Sequence, residues 1–316
     1  MNSNGPDDIN PALPRRVLIA VDSSKASRNA LAYASHLLPH GGEVRLVSVA
    51  ENPHTLFPSG RHVSHTLDSV REELLKDAAA ALEQAQAVLA SCDVRIETEV
   101  VDLSKRGGVV VQALVNAANA WQAELMVVGA RHHHGLTRWV EGTVSEALSK
   151  LLHCPLLVVP EGYNVENEHL PERILFAVDG SPHAATALRF GVRFAAPDAS
   201  LRAIYVIDRA VRLSDFVPID ALEDAFFDEG RHALAAAEPV LSHVSIRSST
   251  ALVKTRRTSD DVAHTIVREA SNCHAQLIVM GTHGRRGISR WLFGSVAGRV
   301  AHLAQSPLLL VGTQDA

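Results

Sequence analysis

The chain has 316 residues, of which 47% are hydrophobic, and a formal net charge of −5. This composition is typical of a globular protein with one large or two ordinary domains, and it excludes a general attraction to nucleic acids or anionic membranes. The three cysteines (Cys92, Cys154 and Cys273) are widely spaced and odd in number, which argues against a disulfide framework and indicates a reducing compartment. Without an apolar leader or an apolar run of roughly 20 residues, we expect a cytoplasmic protein with no membrane insertion.

The first predicted elements alternate between short apolar runs and stretches of helical spacing. Residues 17–21 (VLIAV) form a continuous apolar run, which is typical of a strand buried on both faces. Apolar residues then recur at helical spacing over 24–38, and VRLVSV (44–49) predicts a second strand. Residues 66–90, rich in alanine, leucine and glutamate, predict a long helix.

The same alternation continues through the next part of the chain. The pattern predicts a more exposed strand at 94–101, a helix at about 108–120, strands at 125–129 and 155–159, and a helix at 143–153 between those two strands. Strands that alternate with helices indicate a mostly parallel sheet with helices on both faces. In such sheets, ligands bind beyond the carboxyl ends of the strands, near the point at which the strand order reverses.

The second half of the sequence repeats the first. RRVLIAVDSSKASRNAL (15–31) matches ERILFAVDGSPHAATAL (172–188), and the stretch 123–159 matches 275–311. A repeat of about half the chain is too long for a solenoid and indicates a duplicated domain. The polar, acidic segment 161–172 lacks apolar periodicity and predicts a linker. The expected organisation is a flexible N-terminus at 1–14, a first domain at 15–160, the linker at 161–172 and a second domain at 173–316.

A glycine-rich, basic segment, GTHGRRGISRWLFGS (281–295), lies between a predicted buried strand and a predicted helix. Gly281 ends the strand, Gly284 follows, and after nine further residues Gly294 and Ser295 begin the helix. Glycines after a strand let backbone N–H groups approach a ligand, and a helix start presents N–H donors at the positive end of the helix dipole. The segment is thus a candidate phosphate site, although tight turns with solvated arginines explain the glycine spacing equally well.

The spacing Gly281-x2-Gly284-x9-Gly294-Ser295, together with VDGS (178–181), resembles the universal stress protein family in its tandem, ATP-binding form. The resemblance extends over nearly the whole chain and both copies. It implies two doubly wound, Rossmann-like α/β domains of the adenine nucleotide alpha hydrolase type, each with a mainly parallel five-stranded sheet. It also implies ATP, or ADP or AMP, as the ligand, with or without Mg²⁺, with the phosphates on the glycine segment and adenine and ribose near the first two strands.

The resemblance assigns roles to residues of the second copy. Asp179 is expected to accept a hydrogen bond from the nucleoside, and Val206 to offer backbone contacts to adenine. An aspartate at a strand end followed by Gly-Ser can instead cap the next helix, and the two roles can coexist. The expected nucleotide-binding residues are Ala177, Val178, Asp179, Val206, Gly281, His283, Gly284, Arg285, Gly294, Ser295 and Val296, with Arg286 and Arg290 adding positive charge.

The first copy carries a weaker version of this site. The retained positions are Asp22, Val49, Gly129, Gly142 and Thr143. His132 replaces the second glycine and would occupy space near the phosphates, although a protonated histidine could also contact one. Glu141 adds an unfavourable negative charge, and Thr143 with Glu146 forms a capping box that can satisfy the helix start. We therefore expect nucleotide binding mainly in the second copy.

Two other polar motifs predict no separate function. The consecutive histidines 132–134 point in different directions and have no cysteine or acidic partner at ligand spacing, so we expect no metal site. KTRR (254–257) follows the third strand of the second copy and could meet phosphates or another partner, although a solvated loop is the simpler interpretation. Because no aromatic residues interleave with a basic surface, we expect no nucleic-acid binding.

The glycine segment indicates a binding protein more than an enzyme. Phosphoryl transfer needs a positioned Mg²⁺ and an oriented nucleophile, and the sequence offers neither a general base nor a Walker-type acidic residue there. We expect a non-catalytic regulatory protein that acts on an unknown protein partner, and the resemblance implies a role in stress responses. A slow ATPase and a nucleotide-free interaction scaffold are the alternatives. The resemblance also implies that the last strands, 155–159 and 307–311, join the domains in an intrachain pseudo-dimer, with homodimer formation left open.

Overall fold

The computed structural model describes residues 12–56, 64–130, 148, 151–165, 169–208, 219–256, 260–284 and 294–312. It divides the chain into two compact units, Pro14–Glu168 (the first unit) and His169–Ala316 (the second unit). Most of the helix predicted at 143–153 lies outside the described residues. Among the described helices, none has the combination of length and apolar character that crossing a bilayer requires.

The first unit contains a parallel sheet. Its strands lie in the order β3-β2-β1-β4-β5, and every described neighbour pair is parallel. The strands are β1 (Arg16–Ala20), β2 (Gly42–Ala50), β3 (Val94–Asp102), β4 (Leu125–Ala130) and β5 (Leu156–Pro160). Edge strand β3 is largely exposed or half-buried, whereas β4 and β5 are mostly buried, as their apolar sequences predict.

The helices of the first unit follow the predicted apolar spacing. In the first of them, Ala26, Ala30, Leu31 and Ala34 are all buried, because residues three and four apart share one face of a helix. The helices are α1 (Lys25–Ser35), α2 (Pro53–Leu56), α3 (Ser64–Leu89), α4 (Leu103–Arg106) and α5 (Val110–Trp121). The one-turn helices α2 and α4 were not predicted, because four residues are too few to show a period.

The second unit repeats this arrangement. The strands are β6 (Arg173–Ala177), β7 (Ser200–Ile207), β8 (Ser248–Lys254), β9 (Leu277–Gly281) and β10 (Leu308–Val311), paired in parallel in the order β10-β9-β6-β7-β8. The helices are α6 (Pro182–Gly191), α7 (Ile219–Val244), α8 (Val262–Asn272) and α9 (Ser295–Leu303), with a 3-10 turn at Val192–Phe194. The predicted α/β fold class is confirmed in both units.

The central strands of the second unit are covered on both faces. Ile174, Leu175 and Phe176 are consecutive in β6, and each is at most 1% exposed. Because successive side chains of a strand point to opposite faces, this burial requires packing on both sides of the sheet. The sequence predicted a doubly covered strand from the apolar run 17–21 of the first copy, and there Val17, Leu18 and Ile19 are likewise at most 2% exposed.

The strand order reverses between β6 and β9. From β6 the chain adds β7 and β8 on one side of the sheet, and it then returns to add β9 and β10 on the other. Ala177 at the end of β6 pairs with Met280 of β9, so the segments that follow these two strands leave the sheet side by side. This is the switch point at which open parallel sheets hold their ligands.

The first residues of the predicted linker contact the first unit. The side-chain amide of Asn29 donates hydrogen bonds to the carbonyl oxygens of Glu161 (2.7 Å) and Tyr163 (3.0 Å). The rings of Tyr33 and Tyr163 pack edge to face, with their centroids 5.7 Å apart. The chain that leaves β5 is therefore held against α1 over at least three residues.

Candidate functional site

Each unit places an aspartate just beyond its first strand. The N–H group of Val178 donates to the carbonyl of Ile204 (2.9 Å), which extends the pairing of β6 with β7 by one residue before Asp179. One carboxylate oxygen of Asp179, Oδ1, accepts a hydrogen bond from the N–H group of Ser181 (3.0 Å). Asp22 makes the same bond to Ser24 in the first unit (2.8 Å). These local bonds fix both carboxylates at the carboxyl edge of the sheet.

A serine, and not the aspartate, caps the helix that follows. Oγ of Ser181 accepts a hydrogen bond from the N–H group of Ala184 (3.1 Å) at the start of α6, and Ser24 does the same for Ser27 at the start of α1 (3.1 Å). The interpretation of Asp179 as the helix cap is therefore wrong. Its carboxylate shapes the turn before the helix, and the helix start is served by the serine.

The carboxylate of Asp179 lies against the glycine segment. A Cβ atom at Gly284 would come within 2.8 Å of Oδ2 of Asp179. A side chain at Gly284 would therefore displace the Asp179 carboxylate, whereas glycine lets the two segments approach this closely. The structure thus brings together two features that the sequence separates by about a hundred positions, the aspartate after β6 and the second glycine after β9.

The first glycine of each motif has a packing role that the sequence did not indicate. A Cβ atom at Gly281 would lie 3.0 Å from the backbone carbon of His183, and a Cβ atom at Gly129 would lie 2.3 Å from the backbone carbon of Ala26. Each glycine therefore lets the end of its strand pass directly beside the first turn of α6 or α1. These two glycines are required by the fold, whether or not a phosphate is bound.

The helix α9 starts without a side-chain cap. Its N-cap residue is Gly294, which provides no side-chain acceptor for the first N–H groups. The N–H group of Gly294 donates to the carbonyl of Thr282 (3.0 Å), so the start of α9 lies beside the end of β9. Ser295 is exposed and Val296 is half-buried in the first turn. A helix start of this kind favours anions, because its N–H donors and the helix dipole point the same way.

A second histidine lies beside the one that was predicted. The rings of His183 and His283 have their centroids 5.2 Å apart and are inclined by 44°. Oγ1 of the buried Thr282 lies 3.0 Å from Nδ1 of His283. Sequence reasoning missed His183, because a residue in one helix and a residue in a distant loop show no pattern. The only available signal was the difference between the two copies at this position, where the first has Ala26.

The remaining predicted residues are distributed along the same sheet edge. Ala177 ends β6, and Val206 is half-buried on β7 opposite Val253. In the first unit, the half-buried Val49 pairs with Val101. Several predicted residues lie outside the described part of the chain: Arg285, Arg286, Arg290, His132, Glu141, Gly142 and Thr143. The consecutive histidines 132–134 also lie outside it.

A polar network joins the loop after β8 to α8. Oδ2 of the buried Asp260 accepts hydrogen bonds from the backbone N–H of Arg256 (2.6 Å), the hydroxyl of Thr265 (3.1 Å) and the guanidinium of Arg268 (2.8 Å). Burial opposes the ionisation of Asp260, but these hydrogen bonds and the charge of Arg268 outweigh it and lower the pKa of the carboxyl group. Arg256, which follows β8, is therefore joined through Asp260 to the first two turns of α8.

A second ion pair connects α9 to this network. Arg299 of α9 lies 2.5 Å from Oδ2 of Asp261, the N-cap residue of α8, which also accepts from the N–H group of His264. Burial raises the pKa of Asp261, but the bonds from His264 and the nearby charge of Arg299 lower it overall. The helix that starts at the glycine segment is thus linked to the neighbouring helix.

The sequence profile of the universal stress protein family matches residues 14–160 and, a second time, residues 171–312. The chain belongs to the universal stress protein family. Its tandem form, which the sequence predicted, is confirmed by the two matches. Each match contains one strand-end aspartate and one set of the glycine positions discussed above.

Relatives of the same tandem length support this membership. A universal stress protein of Mycolicibacterium smegmatis is 29% identical over 299 residues, which cover 93% of this chain and 96% of that protein. Universal stress protein Rv2623 of Mycobacterium tuberculosis is 25% identical over 315 residues, which cover 93% and 95% of the two chains. The solved structure of a universal stress protein from Archaeoglobus fulgidus covers 95% of this chain and 97% of its own, with a TM-score of 0.64 and 17% identity. That likeness supports the fold.

Proposed function

We propose that the second domain binds ATP, or ADP or AMP, and that the protein acts as a non-catalytic regulator in stress responses. The observation that carries this proposal is the close approach of the Asp179 carboxylate to Gly284 at the switch point between β6 and β9. It combines a hydrogen-bond acceptor with a segment whose backbone is accessible, directly before the uncapped start of α9.

The chemistry of a nucleotide suits this combination. Its ribose hydroxyls are donors, and a carboxylate such as that of Asp179 accepts from them. Its phosphates are oxyanions, which the N–H donors of Gly294, Ser295 and Val296 would bind at the positive end of α9. Backbone groups at Val206 would contact adenine at the end of β7. Gly281, His283 and Arg285 complete the proposed site, together with Ala177 and Val178.

Any Mg²⁺ would be held chiefly by the nucleotide. In nucleotide sites Mg²⁺ keeps several bound waters, and its other ligands are the substrate phosphates and one or two carboxylates. Within the described ranges, no group of three or more histidine, cysteine, aspartate or glutamate side chains is arranged to hold a metal ion. The protein's own contribution is therefore to bind the nucleoside and the phosphates.

We assign a weaker site of the same kind to the first domain. Asp22 makes the same turn as Asp179, and Val49 and Gly129 occupy the corresponding strand ends. Gly142 and Thr143 would complete it, with His132 and Glu141 reducing the affinity for phosphate. We take residues 15–160 and 173–316 as the two domains, joined by 161–172. Their pairing as an intrachain pseudo-dimer stays a prediction from the family resemblance, and sedimentation of the purified chain would detect a homodimer.

Release of bound nucleotide tests the proposal. The purified protein is denatured, and the released small molecules are separated and identified. We expect an adenine nucleotide from the wild type and its loss from Gly284→Val, because the new side chain would collide with the Asp179 carboxylate. Gly162→Val is the matched control, since a Cβ atom at Gly162 meets nothing within 4 Å. If the wild type binds no adenine nucleotide even at millimolar concentration, the scaffold alternative is correct.

Measurement of ATP hydrolysis distinguishes the slow-ATPase alternative from the proposed non-catalytic function. Phosphate release from ATP is followed with the wild type, Asp179→Ala and Gly284→Val. We expect no release above the level of the variants, because no general base has been identified at the site. Release that both substitutions abolish would contradict the non-catalytic proposal.

We place the protein in the cytoplasm on the basis of its thiols. Cys92, Cys154 and Cys273 are all free, as is usual in a reducing compartment. Burial raises the pKa of Cys154 to about 12, so this thiol has a packing role and is unreactive at neutral pH. The proposed partners are an adenine nucleotide and an unidentified protein, without nucleic acid.

A further inference from the structure

His183 and His283 form a pair of imidazole rings at the proposed phosphate site. His183 belongs to the first turn of α6, and His283 lies in the glycine segment between Gly281 and Gly284. Their ring centroids are 5.2 Å apart. The start of α9 adjoins the same segment, because the Cβ position of Gly294 lies 3.7 Å from Cα of His283. An anion held at the start of α9 would therefore have both rings close to it.

The charged groups on the elements around the pair are compatible with the binding of an anion. The carboxylate of Asp179 reaches the segment at Gly284. The strands β9 and β10 contribute only apolar side chains or glycine. From α7, which meets the turn before α6 at Ala233, the nearby Glu229 accepts a hydrogen bond from the hydroxyl of Tyr205. On α9, Arg299 is paired with Asp261.

Two adjacent imidazole rings respond strongly to a polyanion. An ordinary histidine has a pKa of about 6.5, so a nearby negative charge can keep it protonated close to neutral pH. Two imidazolium rings side by side repel each other, and a phosphate chain between or beside them removes this penalty. Each ring that is charged in the complex would also donate an N–H group to a phosphate oxygen, which is a charge-assisted hydrogen bond. In His283 the other ring nitrogen, Nδ1, lies 3.0 Å from Oγ1 of Thr282.

We propose that His183 and His283 together bind the phosphate chain of the nucleotide as imidazolium side chains, so that nucleotide binding takes up protons from solution. This inference rests on the proposed function, and it adds a phosphate ligand, His183, and a pH dependence to that site. The protons end on the imidazole nitrogens, and no bond of the nucleotide breaks. The first copy has Ala26 and Arg131 at the two positions, so it lacks the histidine pair.

Calorimetry in two buffers measures the proton uptake. A non-hydrolysable ATP analogue is titrated into the full chain at about pH 7, in two buffers that differ in their enthalpy of ionisation. The analogue also titrates near this pH, so the informative quantity is the difference between proteins. The variants are His183→Gln and His283→Gln, with His302→Gln in the last turn of α9 as the control. Thermal unfolding of each variant checks that it is folded.

We expect the wild type and the control to take up about one proton more than His183→Gln on binding the analogue. As the pH rises, their affinity for the analogue should fall by up to about tenfold per pH unit for each proton that binding takes up. His183→Lys should retain affinity at alkaline pH and lose this part of the pH dependence, because its charge does not titrate there. Adenosine should bind without the uptake that depends on His183.

Equal proton uptake and equal affinity in the wild type and His183→Gln would overturn the inference and leave the proposed function intact. A failure of the analogue and of adenosine to bind to any of the proteins would overturn both. Proton uptake that persists with adenosine would also contradict the inference, since adenosine has no phosphate to bind the rings.

Discussion

The two units have the same strand order but differ just before the helix that precedes the fourth strand, which is α5 in the first unit and α8 in the second. In the first unit, Gly107 and Gly108 have positive φ angles of 70° and 84°, and the N-cap residue Val109 is 64% exposed and makes no side-chain cap. In the second unit, Asp260 and Asp261 occupy the positions of Gly108 and Val109. They bind backbone and side-chain donors of the loop, of α8 and of α9.

This difference shows how a duplicated domain diverges. The strands, the strand-end aspartates and the first glycine of each motif serve the fold and are kept in both copies. The loops around the sheet edge differ, and the second copy has charged anchors and a histidine pair there that the first copy lacks. The function proposed for the second unit therefore depends on residues that the first unit lacks, and the following substitutions test this difference.

The largest effect is expected at the first glycine of each motif. In the first unit, Gly129→Ala would place a Cβ atom 2.3 Å from backbone atoms of α1, whereas in the second unit the corresponding distance at Gly281 is 3.0 Å. Backbone cannot move aside as a flexible side chain can, so Gly129→Ala should lower the free energy of unfolding by about 3 kcal/mol or more and Gly281→Ala by roughly 1–2 kcal/mol. Denaturant unfolding measures both, and the reverse order would contradict the packing role.

An effect smaller than that of Gly129→Ala is expected from the anchor of the second unit. Asp260→Ala leaves Arg268, whose side chain is 22% exposed, without its carboxylate, and should cost about 2 kcal/mol of unfolding free energy. Asp228→Asn, in an exposed pair with Arg231, is the control and should have almost no effect. Equal losses from the two substitutions would show that the network does not anchor the loop.

The same carboxylate predicts a pH dependence. Because the pKa of Asp260 is lowered in the folded state, its contribution is complete above the unfolded pKa of about 3.9 and disappears as the pH falls through the lower folded value. The wild type should therefore lose more stability than Asp260→Asn when the pH is taken below about 4. In the first unit, the hydrogen bond from Arg71 is the main reason that the pKa of Asp102 is lowered. For the same reason, Asp102→Asn should lose less stability than the wild type when the pH is taken below about 4. Acid unfolding curves that coincide for all three proteins would contradict this assignment.

The smallest effect is expected from Arg299→Gln. The Arg299 side chain is 56% exposed, and its pair with Asp261 is therefore screened by water and salt. The substitution should change the unfolding free energy by about 0.5 kcal/mol at low salt and by less at high salt. A loss that does not depend on salt would indicate a packing role for the arginine stem instead of an ion pair.

The sequence predicted the parts of the molecule that depend on local patterns. The apolar run 17–21 and the Gly281-x2-Gly284 spacing are visible in the chain, and the switch point follows from the strand–helix alternation. The pairing of His183 with His283 and the anchoring of Asp260 by Arg256 and Arg268 were not predictable, because these contacts exist only after the chain has folded. The packing role of Gly281 was hidden for the same reason, since its neighbour is the start of α6.

The stoichiometry of ATP binding tests the central claim most directly. Equilibrium binding of ATP is measured with the wild type, Gly284→Val and His132→Gly. These variants distinguish binding in the two units, because each substitution alters the second glycine position of one motif. The account predicts one tightly bound nucleotide per chain in the wild type, its loss in Gly284→Val and additional binding in His132→Gly. Unchanged tight binding in Gly284→Val, with its loss on Asp22→Ala, would place the main site in the first unit and contradict the account.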